Sequence, residues 1–135
     1  MANALYPSFK EYALSGLIDL TSEDIKVVCV DTALYTYSAA HDALDDVAAG
    51  ARIATSDALS GKSVTSGIFD ATDEVISSVS GNQFEALILY IDASPDSGAL
   101  LICYLDTGYA NLPCTPDGGD ITIVWPADAN KIFSL

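Results

Sequence analysis

Two continuous apolar runs, Phe84–Ile91 (FEALILYI) and Leu100–Leu105 (LLICYL), stand out from a chain in which apolar and polar residues mostly alternate. Each is too short for a helix and lacks the alternation of a strand with one wet face, so both read as strands buried on two faces. The linking DASPDSGA is rich in turn formers, which makes the pair a hairpin and the predicted centre of the fold. Ahead of it, Leu5, Phe9, Tyr12, Ala13 and Leu17 recur at steps of three and four. With Pro7 acceptable in a first turn and Gly16 placed to stop it, this spacing predicts a short amphipathic helix lying on one face or end of the sheet. Ile25–Val30 gives Ile25, Val27 and Cys29 to one face and Lys26, Val28 and Val30 to the other, a strand near the sheet centre.

Asp31–Val47 shows no period of two, and its acidic HDALDD predicts one helical turn within a long excursion that is mobile in the free protein and fixed once assembled on a larger particle. Ala51–Leu59 and Ser63–Phe69 alternate more cleanly and flank Ser60-Gly61-Lys62, which predicts an outer hairpin. A short run follows around Val75–Val79, and Gly81-Asn82 breaks it before the central hairpin. After Asp106 the prolines Pro113 and Pro116 and the Asp117-Gly118-Gly119 turn predict loop. Asp120–Trp125 alternates again, with Ile121, Ile123 and Trp125 inward, and Lys131–Leu135 brings Ile132 and Phe133 back to the sheet. The expectation is a mainly β fold, an antiparallel β-sandwich or flattened barrel of seven or eight strands with one short N-terminal helix, in a single domain spanning residues 1–135.

Composition narrows the function classes more than it names one. Half of the 135 residues are hydrophobic, enough for a core without disulfides or metals. Five Lys and Arg against nineteen Asp and Glu give a net charge of −14, which repels phosphate backbones and anionic membranes, so neither nucleic acid nor membrane is an expected partner. No stretch approaches the roughly 20 apolar residues of a spanning helix, and the opening MANALYPSFKEY has no export-leader pattern. Cys29, Cys103 and Cys114 are an odd set without a CxxC or a nearby histidine, so free thiols in a reducing compartment are expected.

Motifs that could carry chemistry are each better explained as turns. Gly61-Lys62-Ser63 imitates the end of a phosphate-binding loop, but Ser56 stands where the first glycine belongs. His41 is the single histidine; a hydrolase would have to combine it with Asp42 or Asp46 and a serine, and no nucleophile elbow occurs. The groups Asp42/Asp45/Asp46, Asp70/Asp73/Glu74 and Asp117/Asp120 are oxygen-rich, yet none has the spacing of a calcium loop. No catalytic residue, cofactor or metal is therefore expected.

Taken together, NALYPSFKEYALSGLIDL, IKVVCVDTALYTYSAAHDALDDV, GARIATSDALSGKSV, EALILYIDA with LLICYLDTGYANLP, TPDGGDITIVW and the closing NKIFSL resemble a family of small virion structural proteins of tailed bacteriophages, over residues 3–135. The resemblance implies a non-enzymatic capsid decoration (cement) protein, made in the bacterial cytoplasm, that sits on the capsid surface, binds the major capsid protein and forms a dimer or trimer. A tail or neck component, or a module binding carbohydrate or a host surface, is the alternative. Exposed aromatics favour interfaces, so Tyr6, Phe9 and Tyr12 of the helix and Tyr35 and Tyr37 of the excursion are the candidate contacts.

Overall fold

The computed structural model describes residues 3–109 and 112–135. Among them lie ten strands and one α-helix: β1 (Ala4–Leu5), α1 (Pro7–Leu14), β2 (Ile25–Val30), β3 (Arg52–Thr55), β4 (Ser63–Thr65), β5 (Ile68–Asp70), β6 (Glu74–Ile76), β7 (Ala86–Ile91), β8 (Leu101–Leu105), β9 (Ile121–Ile123) and β10 (Phe133–Ser134). The fold is mainly β and sandwich-like, and every strand pair is antiparallel. A five-stranded sheet in the order β1-β8-β7-β2-β3 forms one layer. The small sheets β10-β5-β4 and β6-β9 supply the residues opposite it. The strand number exceeds the expected seven or eight because the two-residue β1 is added and the run Ser63–Phe69 divides into β4 and β5.

The central hairpin forms as expected, β7 and β8 pairing through Leu87↔Leu105, Ile88↔Tyr104 and Leu89↔Cys103. Both strands are buried along almost their whole length, because each face of the sheet has its own cover. Ile25, Val27, Cys29, Leu87, Leu89 and Cys103 enter one apolar cluster, which we call the inner face. Val28, Val30, Ala86, Ile88, Tyr90 and Tyr104 enter a second cluster on the opposite side. A register shift after Leu89 leaves Ile102 as an extra residue between the partners Cys103 and Leu101. Such a bulge lets the adjacent Ile102 and Cys103 both serve the inner face, which is why LLICYL shows no alternation.

Helix α1 joins the inner face through Phe9, whose ring meets Phe133 edge-on at 5.6 Å while Phe133 stacks on Phe69 at 5.2 Å. Gly16 ends it as expected: at φ +72° its N–H donates to Ala13 O and that of Leu17 to Tyr12 O, the double bond of a Schellman stop.

Two expectations are corrected. The outer hairpin is not Ala51–Leu59 with Ser63–Phe69: β3 pairs with β2, and the tight hairpin is β4–β5, closed by Ser66 (φ +54°) and Gly67 (φ +78°). A two-residue loop with both residues at positive φ has the twist that antiparallel neighbours need, and Ser60-Gly61-Lys62 only redirects the chain. The excursion, residues 31–51, is also not a loose loop but an arm docked over the second face. Asp31 N donates to Ala51 O, Leu44 N to Ala99 O and Leu101 N to Asp42 O. Tyr35, Leu44, Val47 and Ala51 are buried beneath it, and the expected helical turn is present as a 3-10 turn at Leu44–Asp46. Arg52 locks the arm: its Nε donates to Val47 O, Nη2 to Leu44 O and Nη1 to Asp96 Oδ2, at 2.7–2.8 Å.

Candidate functional site

The five aromatic residues singled out from sequence separate into two groups. Tyr6, Tyr35 and Tyr37 meet on the arm face, although 31 positions divide the first from the last, because Tyr6 follows β1 at the sheet edge and the arm folds back across β8. Phe9 and Tyr12 lie on α1. The premise of exposure fails for three of them: Tyr6 and Phe9 are fully buried and Tyr35 nearly so, since each is needed to close a core. These three are corrected from contact residues to structural ones. Tyr12 is exposed, and Tyr37 is half-buried.

On the arm face the rings of Tyr6 and Tyr37 lie 5.1 Å apart, those of Tyr37 and Tyr104 5.6 Å, and those of Tyr35 and Tyr104 6.4 Å. A hydrogen-bonded chain runs from the Tyr6 hydroxyl to that of Tyr35 (2.8 Å) and on to His41 Nδ1 (2.9 Å). Burial raises both phenols; the bond between the two hydroxyls adds to the rise at Tyr6 and works against it at Tyr35, the pattern of Tyr6 donating to Tyr35. Burial, followed by the bond to Tyr35, pushes the Tyr6 phenol far above its ordinary range. His41 is therefore bound into a structural chain, while Asp46 Oδ2 accepts from the Asp42 and Ala43 amides.

Beside this cluster opens a cleft of about 370 Å³ whose walls include Thr32, Tyr35, Tyr37, Glu85, Tyr104 and Asp106. Glu85 leads into β7, and its Oε1 accepts from Thr32 N (3.1 Å) and Thr32 Oγ1 (2.9 Å). Burial raises the Tyr104 phenol to about 12, helped by the Asp106 carboxylate beside it and, more weakly, by Glu85. The ring thus stays neutral between two carboxylates. Sequence reasoning missed Glu85, Tyr104 and Asp106; the available signal was that polar groups sit within or at the ends of runs otherwise wholly apolar.

The remaining candidates resolve as scaffolding. Among the described residues no group of three or more His, Cys, Asp or Glu is placed to hold a metal. The acidic loops instead tie down amides: Asp73 Oδ1 accepts from Trp125 N, Asp117 Oδ1 from Gly119 N and Asp120 Oδ1 from Ser78 N. Gly61 turns at φ +62° against Thr72, and Lys62 Nζ donates to Glu23 O, so the phosphate-loop likeness is a turn. Trp125 is buried, with its indole N–H on Thr72 O (3.1 Å), and offers no exposed platform. All three cysteines are free, and burial pushes the Cys29 and Cys103 thiols up to about 12. The Tyr109 hydroxyl is buried without a hydrogen-bond partner among the described residues. Among the described residues no helix is long and apolar enough to cross a membrane.

A scan against protein-family models finds no match for this chain, and a search of the curated proteins finds none.

Proposed function

We propose that the chain is a non-enzymatic bacteriophage virion protein, a capsid decoration protein that binds and stabilises the lattice of the major capsid protein as a dimer or trimer. The observation that carries this reading is an apolar crest at the helix end of the molecule. Tyr12 and Leu17 border one shallow groove, Val64 and Leu135 border another, and Ile18 is common to both. These four border residues are 44–66% exposed, in a chain of net charge −14 that has ample polar residues to cover its surface. Contiguous apolar surface of this kind marks an attachment face. The resemblance over residues 3–135 supports the same assignment, and several weak contacts of one small module on a repeating lattice add up through effective concentration.

The test is copy number and position in purified particles, by quantitative gel analysis and electron microscopy of the head. Hundreds of copies on the lattice support the proposal; a handful at one vertex moves the chain to the neck or tail. Tyr12→Ala should loosen attachment while leaving the melting temperature within about 2 °C of wild type, as expected of an exposed side chain. Phe9→Ala should instead lower the melting temperature well beyond that range, because Phe9 is core.

A further inference from the structure

We propose that the cleft walled by Tyr37, Glu85 and Tyr104 binds a guanidinium group, supplied by an arginine side chain of a partner protein. Three features carry it. Both donors from Thr32 converge on Glu85 Oε1, which fixes the carboxylate, and no donor among the described residues reaches Oε2. The half-buried Tyr37 ring, tilted at 55° to that of Tyr104, sets an aromatic face beside the acid. Finally, no Lys, Arg or His among the described residues lines the cleft. Three of the chain's five Lys and Arg are engaged elsewhere, Lys26 with Asp92, Arg52 with Asp96 and Lys62 with the Glu23 carbonyl.

A fixed carboxylate without a counter-charge repels anions and gains little from a neutral ligand. A hard divalent ion would want six to eight oxygens, more than this wall can offer. A guanidinium satisfies both kinds of wall at once, since it is planar and weakly hydrated, stacks on an aromatic ring and pairs with a carboxylate through its fork of donors. Leu112 and Pro113 complete the lining with an apolar surface suited to the methylene stem, which is why the source is an arginine side chain and not a bare guanidinium ion.

The experiment uses the isolated full chain, so its outcome is separate from that of the virion reading. N-acetyl-arginine amide is titrated at low salt and followed by two-dimensional NMR. The expected result is saturable shifts confined to residues 32–37, 85 and 104–106, with a Kd on the order of 1 mM, and none with N-acetyl-glutamine amide. Glu85→Gln keeps an oxygen for Thr32 and removes only the charge, so it should weaken binding about tenfold with an unchanged fold. Tyr37→Leu, the second variant, should weaken it about fivefold, and Tyr37→Phe should restore it. Scattered or non-saturating shifts, equal binding by Glu85→Gln, or tighter binding of tetramethylammonium or spermidine than of the arginine amide would each overturn the assignment.

Discussion

The two faces of the five-stranded sheet are closed by different means. On the inner face regular elements do the work: α1, β5, β6, β9 and β10 deliver Phe9, Phe69, Ile76, Ile123 and Phe133, and the seal is almost wholly apolar. On the opposite face a largely irregular arm closes the sheet with few large apolar side chains. It is held by backbone bonds to residues 99–101, by the three-pronged Arg52 and by the Tyr6–Tyr35–His41 chain. A segment without its own ladder must satisfy its amides and carbonyls individually, which brings polar side chains inward. The polar, ring-lined cleft lies on this face for that reason.

That contrast can be tested by substitution. The largest expected effect is common to both faces: Ile102→Ala on the inner side and Ile88→Ala beneath the arm each remove a fully buried side chain and should cost about 2–5 kcal/mol in denaturant unfolding. A much smaller loss for Ile88→Ala would mean the arm is only loosely applied. Next comes Arg52→Ala, expected to cost about 1–3 kcal/mol by removing the side-chain donors to the Val47 and Leu44 carbonyls, the latter keeping only the Val47 N–H. Hydrogen exchange should then accelerate across residues 42–51 and at Leu101, whose amide donates to Asp42 O, and leave the rest of β8 unchanged; uniform acceleration would contradict the arm as a separately held unit.

A paired tyrosine experiment separates the faces by sign. Tyr35→Phe on the arm face breaks a chain of two bonds and should destabilise by about 1–2 kcal/mol, whereas Tyr109→Phe on the inner face removes a hydroxyl that has no partner among the described residues and should be neutral or stabilising by up to about 1 kcal/mol. The smallest effect concerns thiols. Because burial raises Cys29 and Cys103 to about 12, almost no thiolate exists at pH 8, and both should resist alkylation until unfolding while the half-buried Cys114 reacts first. Equal reactivity of all three would show that the inner face opens.

The same contrast explains what could be foreseen. Strands β2, β7, β8 and β9, the Gly16 stop and the returning C-terminus follow from local periodicity and turn chemistry, and they are where expected. The partner of β3 did not follow, since Arg52–Thr55 suits any edge and the choice of β2 depends on which neighbour lies bare. Nor did the burial of Tyr6 and Tyr35: an aromatic residue in an irregular stretch looks exposed when the surface it covers is supplied by residues some 30 to 100 positions away. The cleft was hard to read for the same reason, because Glu85, just ahead of β7, and Tyr104 in β8 lie in runs whose pattern speaks chiefly of packing.

Strand β1 adds a constraint on the order of assembly. Ala4 and Leu5 pair with Tyr104 and Cys103, and the Asn3 side chain accepts from both the Asp106 and Thr107 amides, so this segment must wait for one made about a hundred residues later. Until then the outer edge of β8, an apolar strand, stands open to any other chain. Substitutions in β1 should accordingly speed unfolding without slowing refolding, and in a crowded cell the interval before β1 docks is when this chain is most open to pairing wrongly.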